Sequence, residues 1–371
     1  MSPFAHITGW GMAVPQRILT NFEISQIVDT SDEKIQELTG IRERHIASED
    51  QSTASLAVDA ALKALEMSGL RPESLDLIIV STSSPEYIFP ATACLVQDQI
   101  GASKAGAFDL LAACTGFIYA LNMASQAIRS GSIQSALVVG SETLSRLVNW
   151  KDRNTCILFG DGAGAFVLQA SDVPGGILSS VLRSDGSGGD LLSVPGGGSK
   201  HPTTLESVEM GLHYVQMNGR EVFRFATRVM AQATKEAAAA AGFQIADLAL
   251  VIPHQANKRI IDAAARGLEI PIERCMINVE RYGNTSTASI PIATVEAVES
   301  GRLKAGDKIV FVGFGAGLTW GALAVQWSGP ILPKRKVYPR SYLFWLRMRS
   351  LLLRVVRRME SILWGRDIPR S

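Results

Sequence analysis

The sequence predicts an α/β protein built from two duplicated βαβαβ-type halves, with a basic amphipathic helix appended at the C-terminal end. Three observations predict it. First, short apolar, β-branched runs alternate with stretches whose apolar residues recur every three or four positions, the pattern of strands joined by helices. Second, the grammar of the first half returns in the second. G-L-R-P-E-S-L-D-L-I-I-V at 69–80 matches G-F-Q-I-A-D-L-A-L-V-I-P at 242–253, 173 positions on; the helix ending Ser130-Gly131 matches that ending Ser300-Gly301, 170 on; 138–140 matches 311–313, 173 on. Third, residues 331–371 carry eleven Lys or Arg against Glu360 and Asp367, a net charge of +9, which leaves −8 for residues 1–330 of a chain at +1 overall. The expected units are therefore 1–172, 173–329 and 330–371.

In chain order, 7–13 reads as a first strand. Residues 21–28 read as a short helix capped by Asn21, and T-S-D-E at 30–33 caps a second helix that runs to Leu38 before Gly40. An Ala/Leu-rich helix fills 52–67 and closes at Ser68-Gly69. Then come a strand at 75–81, a helix at 91–100 stopped by Gly101, and a strand at 108–111. From Thr115, Phe117, Ala120, Leu121, Ala124, Ala127 and Ile128 trace the apolar face of a helix ending at Gly131. A strand at 136–139, a glycine turn at 160–164 and a strand at 166–169 end the first half. Strands alternating with helices imply a parallel sheet covered on both faces. In the second half, 248–252 reads as a strand, 286–298 as a helix, and 311–321 as a strand running into a glycine-rich turn. Residues 184–202 form the longest irregular stretch. No Lys-Ser/Thr follows their glycines, so a surface loop is expected there rather than a phosphate cradle.

Composition narrows the function classes. Cys94, Cys114, Cys156 and Cys275 show no pairing pattern, which points to a reducing compartment. The five histidines are scattered, and no His/Cys cluster suggests a metal. The opening residues lack the basic region and apolar run of a secretory signal, and no stretch reaches the roughly 18 apolar residues of a spanning helix. A cytoplasmic enzyme body is expected.

The stretch 108–131 puts Cys114 at a strand-to-helix junction. Unpaired N–H groups and the positive helix end there favour the nucleophilic thiolate. The same residue reads equally well as a small cysteine packed in a core. V-I-P-H-Q-A-N-K-R at 251–259 sets His254 just past a strand, with Asn257 and Arg259 on the next helix; R-Y-G-N-T-S sets Asn284 before another helix. Singly, His254 fits a structural histidine and Asn284 a helix cap. Together, a cysteine, a histidine and an asparagine at three such junctions make a set for acyl transfer. The cysteine is acylated, two nitrogen donors hold developing charge, and the glycine loop at 311–321 adds backbone donors.

These motifs, A-A-C-T-G-F at 112–117, P-H-Q-A-N at 253–257, G-N-T-S at 283–286, T-G-I-R-E-R-H at 39–45, F-G-D-G-A-G at 159–164 and F-G-A-G-L-T-W-G at 314–321, resemble those of the β-ketoacyl-acyl-carrier-protein synthase III family over residues 4–327, and the resemblance implies a thiolase-like fold in which the two halves form a layered αβαβα core. The resemblance implies that Cys114 takes an acyl group from a thioester, and that His254 and Asn284 stabilise the enolate formed when malonyl-acyl-carrier protein loses CO₂. It implies an oxyanion hole from the backbone N–H groups of Cys114 and Ala316, and no cofactor beyond the thioester substrates. It implies substrate contacts from Thr30, Lys34, Arg153, Gly219, Phe223, Asn257, Arg259 and Phe314, and from Phe89 across a homodimer interface. Acyl-carrier protein is the implied partner, and nucleic acid is not one.

Two features depart from the family pattern. Lys34 stands where the family has Trp, Leu38 where it has a basic residue, and Arg220 where it has a small polar one, so the primer is left open between acyl-CoA and acyl-carrier protein. The tail, 342–364, wound as a helix, puts Arg347, Ser350, Arg354, Arg357, Arg358 and Ser361 on one face, with Phe344, Met348, Leu352, Val355, Val356, Met359 and Ile362 opposite. That pattern suits an anionic membrane surface, or docking on the enzyme or a partner. Three functions remain in view: a condensing enzyme that starts fatty-acid or related chains, a specialised acyl transferase of secondary metabolism with a carrier-bound donor, and a membrane-recruited non-catalytic subunit.

Overall fold

Two mixed β-sheets organise the chain in a computed structural model, which describes residues 3–329 and 340–363, with the side chains of the last helix described at 345 and 348–360. In order, the elements are β1 (Phe4–Ala13), β2 (Arg17–Thr20), α1 (Asn21–Ser25), α2 (Asp32–Thr39), β3 (Glu43–Ile46), α3 (Thr53–Ser68), β4 (Leu77–Ser81), α4 (Thr92–Ile100), β5 (Gly106–Leu110), α5 (Gly116–Arg129), β6 (Ser135–Glu142) and β7 (Gly162–Ser171). They continue with β8 (Gly176–Ser184), β9 (Leu192–Ser193), α6 (Leu205–Glu209), β10 (Gln216–Met217), α7 (Gly219–Ala240), β11 (Leu250–Pro253), α8 (Lys258–Leu268), α9 (Val279–Tyr282), α10 (Ser289–Glu299), β12 (Lys308–Gly315), β13 (Thr319–Gln326) and α11 (Arg340–Leu363).

The first sheet has the order β1-β7-β6-β4-β5 and the second β11-β12-β13-β8. The expected all-parallel sheet is corrected. Only β6, β4 and β5 run parallel in the first sheet, and only β11 and β12 in the second. The reason lies in the connections. Helices α4 and α5 carry the chain between parallel strands, whereas β12 turns directly into β13, and β6 reaches β7 through irregular chain and a short 3₁₀ turn, so both pairs are antiparallel.

The strand pleats sort the core. In β4, Ile78 and Val80 point outward to α3 and α4, while Ile79 points inward. In β12, Ile309 and Phe311 point inward, and Val310, Val312 and Phe314 face α7 and α8. Between the two sheets lie α5, with Phe117, Leu121 and Ile128, and α10, with Ile290, Ala293 and Val295. These two helices are apolar on several sides because both neighbouring layers are sheets.

Landmarks in the two sheets fall at one offset: β4 and β11 start at 77 and 250, α5 and α10 at 116 and 289, β6 and β12 at 135 and 308, each 173 apart. Ala113 and Ser286, also 173 apart, share left-handed φ values of 45° and 47°. The 170-residue offset between helix ends arises because α5 has 14 residues and α10 only 11. At the offset of 173, Cys114 corresponds in position to Thr287.

Caps and glycines explain other departures. Thr20, not Asn21, caps α1, through a capping box with Glu23; Asn21 is buried and donates to Asp32 and to the Ile41 carbonyl. The turn expected at 160–164 is mostly strand. Its glycines are there for approach, since a Cβ on Gly164 would lie 2.6 Å from Pro291 and one on Gly162 3.0 Å from Ile292, both in α10. Segment 184–202 is not merely a surface loop, for it contributes β9, which pairs with β10.

Helix α11 lies against α4. The Ser350 hydroxyl donates to Asp98 Oδ2 at 2.5 Å, and Arg354 stands 3.5 Å from the same oxygen. Met348, Leu352, Val355, Val356 and Met359 stay exposed. Residues 334–336 and Trp364 lie outside the described residues.

Candidate active site

The reaction centre forms where the two sheets present their strand ends to each other. Cys114 sits in a 3₁₀ turn, Ala113–Thr115, that feeds α5. The chain enters this turn through Ala113 in a conformation that non-glycine residues seldom adopt. His254 follows β11, held by its backbone N–H to the Val312 carbonyl at 2.8 Å. The backbone of Asn284 is clamped to the 158–160 segment, donating to Leu158 and accepting from Gly160. All three are buried, Cys114 at 8% exposure, His254 at 1% and Asn284 at 7%. All three line one cavity of about 870 Å³.

Hydrogen bonds set the donors. The Ser289 hydroxyl lies 2.6 Å from His254 Nδ1. With Ser289 as the donor, the proton sits on Nε2. Among the described residues this buried Nε2 has no partner. Burial pushes the His254 ring down to about 3, so it is neutral. Phe314 meets the ring edge-to-face at 5.4 Å and helps to fix it. Asn284 Oδ1 accepts from the Ser286 N–H at 2.8 Å, which leaves Nδ2 as the donor on offer. That bond closes an Asx turn just ahead of the 3₁₀ turn, whose N-cap is Thr285, so Asn284 shapes the local chain as well as being a candidate donor.

The thiol departs from expectation. Burial pushes Cys114 up to about 12, the charge of Glu142 adds to the rise, and a hydrogen bond from Ser286 only partly offsets it. Desolvation outweighs the helix end, and the Cys114 side chain is a thiol rather than a thiolate. The first N–H groups of α5 still have no carbonyl partner within the helix. Gly315 leaves room there, since a Cβ on it would lie 2.8 Å from the Cys114 nitrogen.

The remaining residues divide by location. Thr30, Lys34, Arg153, Gly219, Phe223, Asn257 and Phe314 line the same cavity as the three central residues. So do Leu38 and Arg220. Arg153 stands 3.6 Å from Asp29 at the mouth. Asn257 is the N-cap of α8 rather than a helix residue; its amide also donates to the Leu38 carbonyl and ties α8 to α2. Arg259 lies over the Phe223 ring at 5.4 Å. Phe89 is 84% exposed and lines neither this cavity nor the next one.

A second cavity of about 620 Å³ opens on the other side of Cys114. Ala316 borders it, with Leu110, Leu111, Leu144, Leu147, Val194 and Val215 as its apolar walls. Cys114, Phe159 and Leu192 belong to both cavities. Sequence reasoning missed these walls. The one available signal was Val194 and Leu192, apolar residues inside an otherwise polar, glycine-rich stretch.

A cysteine between a polar-mouthed channel and an apolar chamber, faced by two nitrogen donors, defines a thiol enzyme of acyl transfer. Comparison with known proteins agrees. The family model for the C-terminal part of 3-oxoacyl-[acyl-carrier-protein] synthase III matches residues 238–327, and that for 3-oxoacyl-[acyl-carrier-protein] synthase III matches 108–186. The chain is 52% identical over 328 residues to β-ketoacyl-[acyl-carrier-protein] synthase III of Roseiflexus sp., covering 88% of this chain and 100% of the relative. It is 53% identical over 322 residues to the protein of that name from Desulfitobacterium hafniense, covering 87% and 97%. The crystal structure of 3-oxoacyl-[acyl-carrier-protein] synthase III from Aquifex aeolicus superposes with a TM-score of 0.81 at 46% identity, covering 87% of this chain and all of that one. The chain belongs to the β-ketoacyl-acyl-carrier-protein synthase III family of thiolase-like condensing enzymes. The C-terminal family match ends at residue 327, ahead of α11.

Proposed function

We propose that this enzyme starts fatty-acid chains by condensing an acyl thioester with malonyl-acyl-carrier protein. Cys114 attacks the acyl thioester, and the acyl chain enters the apolar chamber. The thioester arm of malonyl-carrier protein then comes down the polar channel. His254 Nε2–H and Asn284 Nδ2–H donate to its thioester oxygen, so loss of CO₂ leaves a stabilised enolate. Its carbon attacks the acyl-cysteine, whose oxyanion meets the N–H groups of Cys114 and Ala316. The product is a β-ketoacyl-carrier protein two carbons longer. The observation that carries this reading is the place of Cys114 in both cavities, with His254 Nε2 buried and unpartnered beside it. Incubation with an acyl thioester and malonyl-carrier protein is expected to release CO₂ and β-ketoacyl-carrier protein. Failure with every acyl donor offered would overturn the reading.

The mouth sets the primer. An aromatic ring opposite Arg153 would stack adenine, and Lys34 offers none. Stacking on an aromatic side chain contributes roughly 1–3 kcal/mol per base. Lys34→Trp is therefore expected to lower the KM for acyl-CoA by about 5- to 150-fold, and that for acyl-carrier protein far less. Equal shifts for both donors would remove the argument. Lys34 and Arg220, both on the channel, also favour a second reading, a specialised condensing enzyme fed by a carrier-bound acyl donor.

Three wider assignments belong to this proposal. Residues 1–172 and 173–329 are duplicated halves, supported by the recurring offset of 173. The enzyme is a homodimer, supported by exposed Tyr87, Ile88, Phe89 and Leu111 beside edge strand β5. The tail, 330–371, binds the anionic inner face of the cytoplasmic membrane. Its support is that Ser350 and Arg354 face Asp98 while the described apolar residues Met348, Leu352, Val355, Val356 and Met359 stay exposed. Among the described residues no helix is long and apolar enough to cross a membrane. Arginines near an anionic surface contribute about 1 kcal/mol each, whereas each costs about 2.5–3.5 kcal/mol at the bilayer centre, so α11 lies in the interface plane. The full chain is expected to float with anionic liposomes at low salt, and a chain truncated after Gly329 is not. Full-length protein that stays in the soluble fraction would sink the membrane assignment and point to a protein partner for the apolar face.

A further inference from the structure

Glu142 ends β6 with no exposure at all, beneath the reaction centre. Its carboxyl collects contacts from both halves of the fold. Ser84 donates to Oε2 at 2.6 Å and the Ser83 N–H reaches both oxygens at 3.1 Å. Thr82 stands 3.3 Å from Oε2. From the turn ahead of α10, Ser286 and Thr287 reach Oε1 at 3.0 and 2.9 Å. None of its hydrogen-bond partners among the described residues is a cation. The titratable group that senses its charge is Cys114.

A buried carboxylate without a cation is costly, and one beside a nucleophilic thiol opposes the charge that the nucleophile must develop. The cost has a purpose if the carboxyl takes up a proton during the reaction. Ser286 neighbours both groups: its hydroxyl donates to Glu142 Oε1 at 3.0 Å, and it lines the apolar chamber together with Cys114. With its hydrogen directed at Glu142, the Ser286 oxygen keeps a lone pair that can accept from the thiol. We propose that Glu142 is the store for the Cys114 proton, reached through the Ser286 hydroxyl. The proposal rests on Cys114 being the acylated residue.

The steps balance. As the sulfur bonds the acyl carbon, the S–H proton passes to Ser286 Oγ and the Ser286 proton passes to Glu142 Oε1. The departing thiolate of the donor takes a proton from water. In condensation the enolate carbon displaces the Cys114 thiolate. Glu142 then returns its proton through Ser286, and the thiol is restored. The site accommodates a proton on Glu142, because Thr287 Oγ1 lies 2.9 Å from both the Ser81 carbonyl and Oε1. Its one hydrogen serves the carbonyl, and Oε1–H then supplies the second bond. Burial raises the Glu142 pKa above the ordinary carboxylate value, which suits a proton acceptor. Burial lowers that of His254 to about 3, which suits a neutral donor to the enolate and not a base.

Infrared difference spectroscopy of the full-length enzyme, acylated minus free, tests this. The acyl-enzyme is expected to gain a protonated-carboxyl C=O band, sensitive to deuterium exchange and missing in Glu142→Gln. Should Glu142→Gln not fold, Ser286→Ala carries the test, with acylation slowed by about 100-fold or more, the scale of general acid–base assistance, and its pH profile displaced upward. An acyl-enzyme without the band in the wild type overturns the proposal. So does Ser286→Ala acylating at the wild-type rate with an unchanged pH profile. Absence of any acyl-enzyme in the wild type is a different outcome, for it contradicts Cys114 as the nucleophile and withdraws this inference with it.

Discussion

Cys114→Ala is expected to abolish covalent acyl loading altogether while leaving decarboxylation of malonyl-carrier protein in place. Among the described residues the sulfur is the one nucleophile that borders both cavities, so no neighbouring group is placed to take over the acyl chain. Decarboxylation needs only the donors on the channel side, His254 Nε2 and Asn284 Nδ2, and these are held by Ser289 and Ser286 independently of the thiol. Removing the sulfur also lifts a constraint on Glu142, so the variant is expected to fold as the wild type does. The measurement is paired: acyl adduct by mass, and CO₂ release from labelled malonyl-carrier protein. Loss of both activities together would mean that the two half-reactions are not divided between the two sides of Cys114.

His254→Ala and Asn284→Ala are expected to give the opposite pattern. The acyl-cysteine still forms, and decarboxylation and condensation each fall by about 100- to 1,000-fold, the usual loss when one preorganised oxyanion donor is removed. The loss should be large because both donors work in a buried site, where water cannot replace them. The pH dependence gives a second readout. Burial holds the His254 pKa at about 3, so the ring is already neutral well below the ordinary histidine value of about 6.5. Decarboxylation by the wild type should therefore show no inflection near that value. An inflection there, lost in His254→Ala, would mean that the ring titrates and acts as an acid or base.

The parts of this molecule that the sequence makes legible are those governed by local rules. Helix α2 begins after the Ser31 cap and ends at Gly40, with φ 78°, and α3 lies between the Ser52 cap and Gly69, because short-range hydrogen bonds and the left-handed turn fix such ends. The setting of Cys114, His254 and Asn284 was legible for a similar reason, since each follows a recognisable strand or glycine turn. What was not legible depends on long-range contact. Gly162 and Gly164 read as a turn because nothing in the sequence near them announces that α10 passes across their strand. Strand direction followed connection geometry rather than apolar pattern. The thiol was expected to be readily ionised, and desolvation from layers far apart in sequence reversed that. The apolar chamber draws its walls from β5, the chain after β6, the 184–202 segment and the turn after β12, no one of which carries a signal alone.

Intact-mass analysis of the full chain against a panel of acyl-CoA and acyl-carrier-protein thioesters, followed by peptide mapping, tests the central claim most directly. The account predicts a single adduct of the mass of the acyl group, carried on the peptide containing Cys114, which disappears when malonyl-carrier protein is added and β-ketoacyl product forms. An adduct on another cysteine, or product formation with Cys114 never acylated, would contradict it.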